Sequence, residues 1–283
     1  MSRIESILEK ASKMRQGKAP VASGAATELR EIPRPIIQPE VFEPDARLSI
    51  NNPYLVTVND PRSPVTEEYR KLKSIILKLT NSAQFQNTIM VTSAVSGEGK
   101  TITSINLAVA LAQEFDHTVL LVDADLRRPG TSNYLGIRSE VGLSDCLYGK
   151  VDVKDALVKT GIGKLVVLPA GSRVENPVEL LSSGRMQSFI AEIKNRYPDR
   201  YIIIDTPPLL SFAETSSLAN MVDGVVFVVK EGGATMSNVK EALAHLKREK
   251  VYGVVYNNVG INRFDENYRY RNYYAYYKDN GAQ

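Results

Sequence analysis

An apolar run ending in Ile89-Met90-Val91 leads into Ser93-Ala94-Val95-Ser96-Gly97-Glu98-Gly99-Lys100-Thr101, and a helical pattern continues to about Phe115. A strand, a glycine-rich turn and a helix in that order restrict the fold more than any other stretch of the chain. The common phosphate-loop pattern is G-x-x-x-x-G-K-[ST]. Ala94 stands in place of its first glycine, while Gly99, Lys100 and Thr101 match. Gly97 keeps the turn permissive, so backbone N–H groups can face phosphate oxygens at a helix N-terminus. In such a loop Lys100 reaches the β- and γ-phosphates and the Thr101 hydroxyl meets Mg²⁺.

The sequence around this motif alternates. Apolar runs at Thr88–Thr92, Thr118–Asp123, Lys164–Leu168, Tyr201–Asp205, Gly224–Val229 and Val251–Asn257 are separated by helical stretches near 101–115, 178–196, 213–220 and 235–249. Ile202-Ile203-Ile204 and Val225-Val226-Phe227-Val228-Val229 are apolar on both faces, as parallel strands covered by helices require. The expected fold is α/β: a P-loop NTPase with a doubly wound, mainly parallel sheet and helices on both faces.

Open parallel sheets bind ligands at the carboxyl ends of their strands. Two strands end there in acids, Val122-Asp123-Ala124-Asp125 and Ile204-Asp205-Thr206-Pro207-Pro208. Beside a phosphate loop they imply a Mg²⁺ site with Asp205 as its Walker-B-type ligand. Asp125 also suits a helix cap.

The domain is flanked by different material. Residues 1–18 read as an amphipathic helix with Ile4, Ile7, Leu8, Ala11 and Met14 on one face, fit for a partner helix or an anionic membrane surface. Residues 19–64 hold eight of the 14 prolines and read as an extended linker. A long helix should begin near Thr66, capped by its hydroxyl. Residues 65–261 form the nucleotide domain. Residues 262–283 form a tail with Tyr268, Tyr270, Tyr273, Tyr274, Tyr276 and Tyr277. That spacing favours no single helix or strand face; it suits a substrate tail or a sticky aromatic segment.

A formal charge of +3 with no basic run argues against nucleic acid. One cysteine, Cys146, excludes an internal disulfide framework and suits a reducing cytosol as an apolar filler. His117 and His245 cannot make a metal cluster alone and read as surface or helix-end residues. No run approaches the ~20 apolar residues of a membrane span, so the expected location is cytoplasmic or peripheral to a membrane.

With these residues in hand, the chain resembles the bacterial tyrosine kinases of exopolysaccharide and capsule synthesis, in the separate cytoplasmic form. The resemblance covers about residues 55–283. It rests on the loop Gly97–Thr101, on Val-Leu-Leu-Val-Asp-Ala-Asp-Leu-Arg-Arg-Pro at Val119–Pro129, on Ile202–Pro208, on Asn176-Pro177-Val178-Glu179-Leu180-Leu181 and on the tyrosine cluster. It implies an ATP-dependent protein-tyrosine autokinase that uses Mg²⁺ and phosphorylates its own six tail tyrosines. Ser96, Gly97, Glu98, Gly99, Lys100, Thr101 and Ile102 would bind nucleotide, and Thr101, Asp123 and Asp205 the metal. Lys100, Asp123 and Asp125 would be catalytic, with Asp123 accepting the phenolic proton.

The resemblance also implies a homo-oligomer, with a ring as one form. Glu67, Arg70 and Lys73 stand at the spacing of the family's E-x-x-R-x-x-R signature, with lysine replacing the second arginine. Its implied partners are a membrane polysaccharide copolymerase, or chain-length determinant, as activator and a tyrosine phosphatase. The implied location is the inner face of the plasma membrane. Partition and septum-site ATPases, without kinase activity, are the alternative. Their loop carries an early signature lysine where this chain has Val95.

Overall fold

The computed structural model describes residues 52–81, 85–196 and 199–260. The expected helix at 1–18, most of the proline-rich stretch and the tyrosine tail lie outside them. A short helix, α1 (Val56–Asn59), precedes α2 (Pro64–Thr80). Then follow β1 (Thr88–Ser93), α3 (Lys100–Ala112), β2 (Thr118–Asp123), α4 (Thr131–Leu135), α5 (Leu143–Tyr148), α6 (Val153–Ala156), β3 (Val158–Lys159) and β4 (Leu165–Leu168). The chain continues through α7 (Pro177–Leu181), α8 (Gly184–Arg196), β5 (Arg200–Asp205), α9 (Ala213–Met221), β6 (Gly224–Lys230), α10 (Met236–Ala244) and β7 (Val251–Asn257).

The seven strands form one sheet in the order β3-β4-β2-β5-β1-β6-β7. Every pairing is parallel except the two-residue β3 against β4. This is the expected doubly wound sheet, with β1 near its centre and the order reversing beside it. The strands are apolar on both faces for a physical reason. Met90, Leu120, Val122, Ile202 and Ile204 face one core with residues of α5, α8 and α9. Their neighbours Ile89, Val91, Val119, Leu121 and Ile203 face the other, with Ile76 of α2 and Leu107 and Leu111 of α3. Period-two alternation thus places one apolar set in each layer.

α3 explains the long apolar stretch behind the loop. Every residue from Thr103 to Ala112 is buried. Asn106, fully buried among them, is satisfied by the segment at its back. Its Oδ1 accepts from Thr57 N and Oγ1 at 3.1 and 2.8 Å, and its Nδ2 donates to Tyr54 and Ile102 carbonyls. With Leu55 buried as well, residues 54–57 are docked on α3 at the end of the proline-rich stretch.

The helix expected to be capped by Thr66 starts earlier. Ser63 is its N-cap, accepting from Thr66 N at 3.1 Å, and Pro64 occupies the first helical position. The Thr66 hydroxyl instead donates to the Val56 and Asp60 carbonyls, tying α1 to α2. Proline's fixed φ makes it a good first helical residue, which moves the boundary back. Cys146 is half-buried in the core and its thiol is pushed up to about 11 by burial and the nearby Asp145, as suits a filler. His117 lies in an aromatic cluster, edge-on to Tyr201 at 5.1 Å, rather than on an open surface. Among the described residues no helix is long and apolar enough to cross a membrane.

Candidate nucleotide and phosphoryl-transfer site

The carboxyl ends of β1, β2 and β5 lie side by side, and their register places Asp123 directly opposite Asp205. The phosphate loop leaves β1, on the far side of β5 from β2. Gly97 and Gly99 both have left-handed φ values, 84° and 89°. At Gly99 a Cβ would stand 2.1 Å from Asn257 Nδ2 as well and would displace that side chain. Gly99 is also the N-cap of α3 and offers no side-chain acceptor to the helix. The first N–H groups of this 13-residue helix are therefore left for an anion, the geometry that favours phosphate.

Glu98 belongs to the loop differently from its neighbours. Its carboxylate is buried and turned back into the protein. Oε2 accepts from Ala94 and Val95 N–H, and Oε1 from Lys230 and Ala234 N–H. A carboxylate facing phosphate would repel it; here it fastens the loop to the turn after β6. Any contact of Glu98 with nucleotide is through its backbone.

Lys100 opens α3 and donates to Asp125 Oδ2 at 2.9 Å. Both side chains are nearly buried. Burial pulls the Lys100 ammonium down, but Asp205, Asp125 and Asp123 together outweigh it and leave it above the ordinary lysine value. Asp125 Oδ1 accepts from Arg128 N–H at 3.1 Å, which closes the turn after β2. Asp123 accepts from the N–H groups of Asp125 and Thr131. Asp205 Oδ1 accepts from Ser104 Oγ at 3.1 Å.

Asp123 and Asp205 are fully buried and repel each other. Burial raises both carboxyls well above the usual range, with the Asp123–Asp205 repulsion adding to it at Asp123. At Asp205, Lys100, Thr101 and Ser104 oppose the rise. Asp205 Oδ2 is buried with no hydrogen-bond partner. An unpartnered carboxylate oxygen beside a second strained carboxylate and the Thr101 hydroxyl fits a divalent cation. Among the described residues no three acidic, His or Cys groups form a metal cage. Mg²⁺ takes one or two carboxylates and completes its octahedron with water and phosphate oxygens.

The structure brings Ser96, Gly97, Gly99, Lys100, Thr101 and Ile102 into one loop and first turn, and gathers Asp123, Asp125 and Asp205 around them. The three α2 residues make contacts within their own chain. Arg70 pairs with Glu67 at 3.0 Å and donates to the Pro61 carbonyl. Lys73 is turned onto Glu114 of its own chain. Tyr268 to Tyr277 lie outside the described residues. Ser104, Thr131 and Asn257 were not legible as site residues. Asn257 alone carried a signal, a polar residue at the carboxyl end of a strand.

The AAA domain family model matches residues 86–252. The tyrosine-protein kinase YwqD of Bacillus subtilis is 35% identical over 234 residues, covering 81% of this chain and 94% of that protein. The kinase domain of the Escherichia coli tyrosine kinase ETK superposes with a TM-score of 0.69 at 30% identity, over 80% of this chain and 87% of that one. The chimerical protein CapA2B2 gives a TM-score of 0.67 at 30% identity, over 73% and 90%. Identity of 30–35% over most of both chains reaches well beyond a shared motif, and the chain belongs to the bacterial protein-tyrosine kinases.

Proposed function

We propose that this protein is an ATP- and Mg²⁺-dependent tyrosine autokinase whose acceptors are its own tail tyrosines. The observation that carries the reading is the Lys100–Asp125 pair set between two buried, strained carboxylates at the mouth of a phosphate loop. Lys100 and the α3 N-terminus hold the phosphates, and Asp125 holds Lys100 extended toward them. Thr101, Asp123 and Asp205 would hold Mg²⁺, which supplies charge neutralisation of the β- and γ-phosphates when bound.

In the transfer, the tyrosine oxygen bonds to the γ-phosphorus as the bond from phosphorus to the bridging oxygen of ADP breaks. The phenolic proton leaves late, because a phenol of pKa ~10 is protonated at neutral pH. Asp123, at the carboxyl end of β2 beside Asp205, is the group assigned to accept that proton. Positioning and charge supply most of the rate in so loose a transition state.

The names of similar proteins support a place in polysaccharide production. They include the tyrosine-protein kinase CapB of Staphylococcus aureus and the succinoglycan biosynthesis transport protein ExoP of Rhizobium meliloti. The chain matches only 30% of ExoP's length. The remainder of such proteins suggests the kind of partner this chain requires: a membrane polysaccharide copolymerase that recruits it to the inner face of the plasma membrane and activates it. A tyrosine phosphatase would reset the tail. Full modification moves the tail from +1 to roughly −8 to −11, enough to loosen an oligomer.

Purified protein incubated with ATP and Mg²⁺, with mass spectrometry of the tail, tests the reading. Phosphate on Tyr268–Tyr277 that disappears in Lys100→Met is expected. ATP hydrolysis with an unmodified tail would instead indicate a positioning ATPase.

A further inference from the structure

Two residues beyond Asp125, Arg127 is held in a way the nucleotide site does not require. Its Nε donates to Glu214 Oε1 at 2.6 Å. Its guanidinium carbon lies 4.4 Å from the centroid of the Phe212 ring. Glu214 is fully buried, whereas the Arg127 side chain remains 32% exposed. Burying a carboxylate is costly unless a cation neutralises it, so Glu214 and Arg127 fix one another. Glu214 Oε2 has no partner of its own. Among the described residues neither Nη of Arg127 has a hydrogen-bond partner either. A planar fork is thus clamped by a buried acid from behind, backed by an aromatic face, and presents free donors outward.

Its location is set by the turn that starts at Asp125. Arg128 N–H returns to the Asp125 carbonyl at 3.2 Å and to its side chain. The other Asp125 oxygen is the one that meets Lys100. The fork therefore stands on the same four-residue turn as the carboxylate that orients the catalytic lysine.

We propose that Arg127 positions the acceptor by binding acidic side chains just before the tyrosine being phosphorylated. The inference rests on the kinase reading above and names which tyrosine that site prefers. A guanidinium fork matches a carboxylate or a phosphate with two parallel N–H donors. In the tail, Asp265 and Glu266 stand three and two residues before Tyr268. Tyr268 is therefore the first acceptor. Once modified, it places a phosphate two residues before Tyr270, so the same fork then favours Tyr270.

The test uses the full-length protein with ATP and Mg²⁺ and peptides spanning residues 262–272, with Tyr270→Phe to leave one acceptor. One peptide keeps Asp265 and Glu266; the other carries Asp265→Asn and Glu266→Gln. Wild type should show a KM about tenfold lower for the acidic peptide, with kcat within about twofold. Arg127→Lys keeps the charge without the fork and should keep only part of that preference. Arg127→Gln with Glu214→Gln avoids leaving a buried charge unpaired. It should lose the preference and keep nucleotide affinity within about twofold of wild type. Equal KM values for the two peptides in wild type, or an undiminished preference in the double variant, overturns the inference. Phosphotyrosine on neither peptide nor tail would defeat the kinase reading itself, and the inference with it.

Discussion

Asn257, the last residue of β7, donates from Nδ2 to the Glu98 carbonyl at 2.8 Å. That bond links the edge strand from which the tail departs to the phosphate loop. The same amide is what a Gly99 side chain would strike. Asn257 therefore restrains the loop and packs against its second glycine. Asn257→Ala should weaken ATP affinity by about three- to tenfold, because the loop must then be ordered by the ligand. Its unfolding free energy should fall by only about 1 kcal/mol. Titration with a fluorescent ATP analogue and thermal unfolding measure the two effects; unchanged affinity with lowered stability would make Asn257 a purely structural residue.

Glu98 gives the complementary expectation. Its carboxylate receives four backbone N–H groups from two segments. Glu98→Ala strands all four and should cost about 2–4 kcal/mol. Glu98→Gln retains one acceptor oxygen and should cost less. A residue whose side chain touched nucleotide and nothing else would show no loss of stability without ligand, so calorimetry of the ligand-free protein distinguishes the two.

These two side chains also mark the limit of what the sequence made legible. Six of the seven strands were legible because apolar residues fill both covered faces; β3, only two residues long, was not. The loop was legible because only a glycine-rich turn can wrap an anion, and Asp123 and Asp205 because acids rarely end apolar strands without a reason. Glu98 lies inside the motif, yet its partners Lys230 and Ala234 are over 130 residues away. Spacing along the chain cannot carry that contact. The helices α4 and α5 are five and six residues long, too short for a 3.6-residue period to register. Ser63 rather than Thr66 caps α2 because the fixed φ of Pro64 suits the first helical position.

The raised carboxyls predict a pH dependence of the ligand-free protein. In the folded state Asp205 and Asp123 titrate at about 6 and about 7, above the ordinary aspartate value. The folded state thus holds protons more tightly than the unfolded state. The stability these groups contribute is complete below about pH 4 and is lost as pH rises through 6 to 7. Asp205→Asn removes one of the repelling charges while Asp125 still pairs Lys100, and its amide can still meet Ser104 and Thr101. It should raise the stability of the ligand-free protein by about 1–2 kcal/mol at pH 8 and by much less at pH 5. The variant should also lose the extra stabilisation that Mg²⁺ adds to bound ADP. An equal effect of the substitution at both pH values would contradict the assigned strain.

On α2, the two basic residues at the oligomerisation spacing should behave differently. Lys73 is already paired with Glu114, and its side chain is only 17% exposed. Arg70 is 42% exposed and shares its guanidinium between the half-buried Glu67 carboxylate and the Pro61 carbonyl. Surface ion pairs within one helix contribute only ~0.3–0.5 kcal/mol, so Arg70 loses little by turning to another subunit. An arginine fork is also the better interface anchor. Arg70→Ala should therefore shift the assembly toward smaller species in sedimentation velocity, at little cost to the melting temperature. Lys73→Ala should do the reverse, lowering the melting temperature through the lost Glu114 pair and leaving assembly nearly intact. Equal loss of assembly in both variants would mean that Lys73 leaves Glu114 to meet the neighbouring subunit.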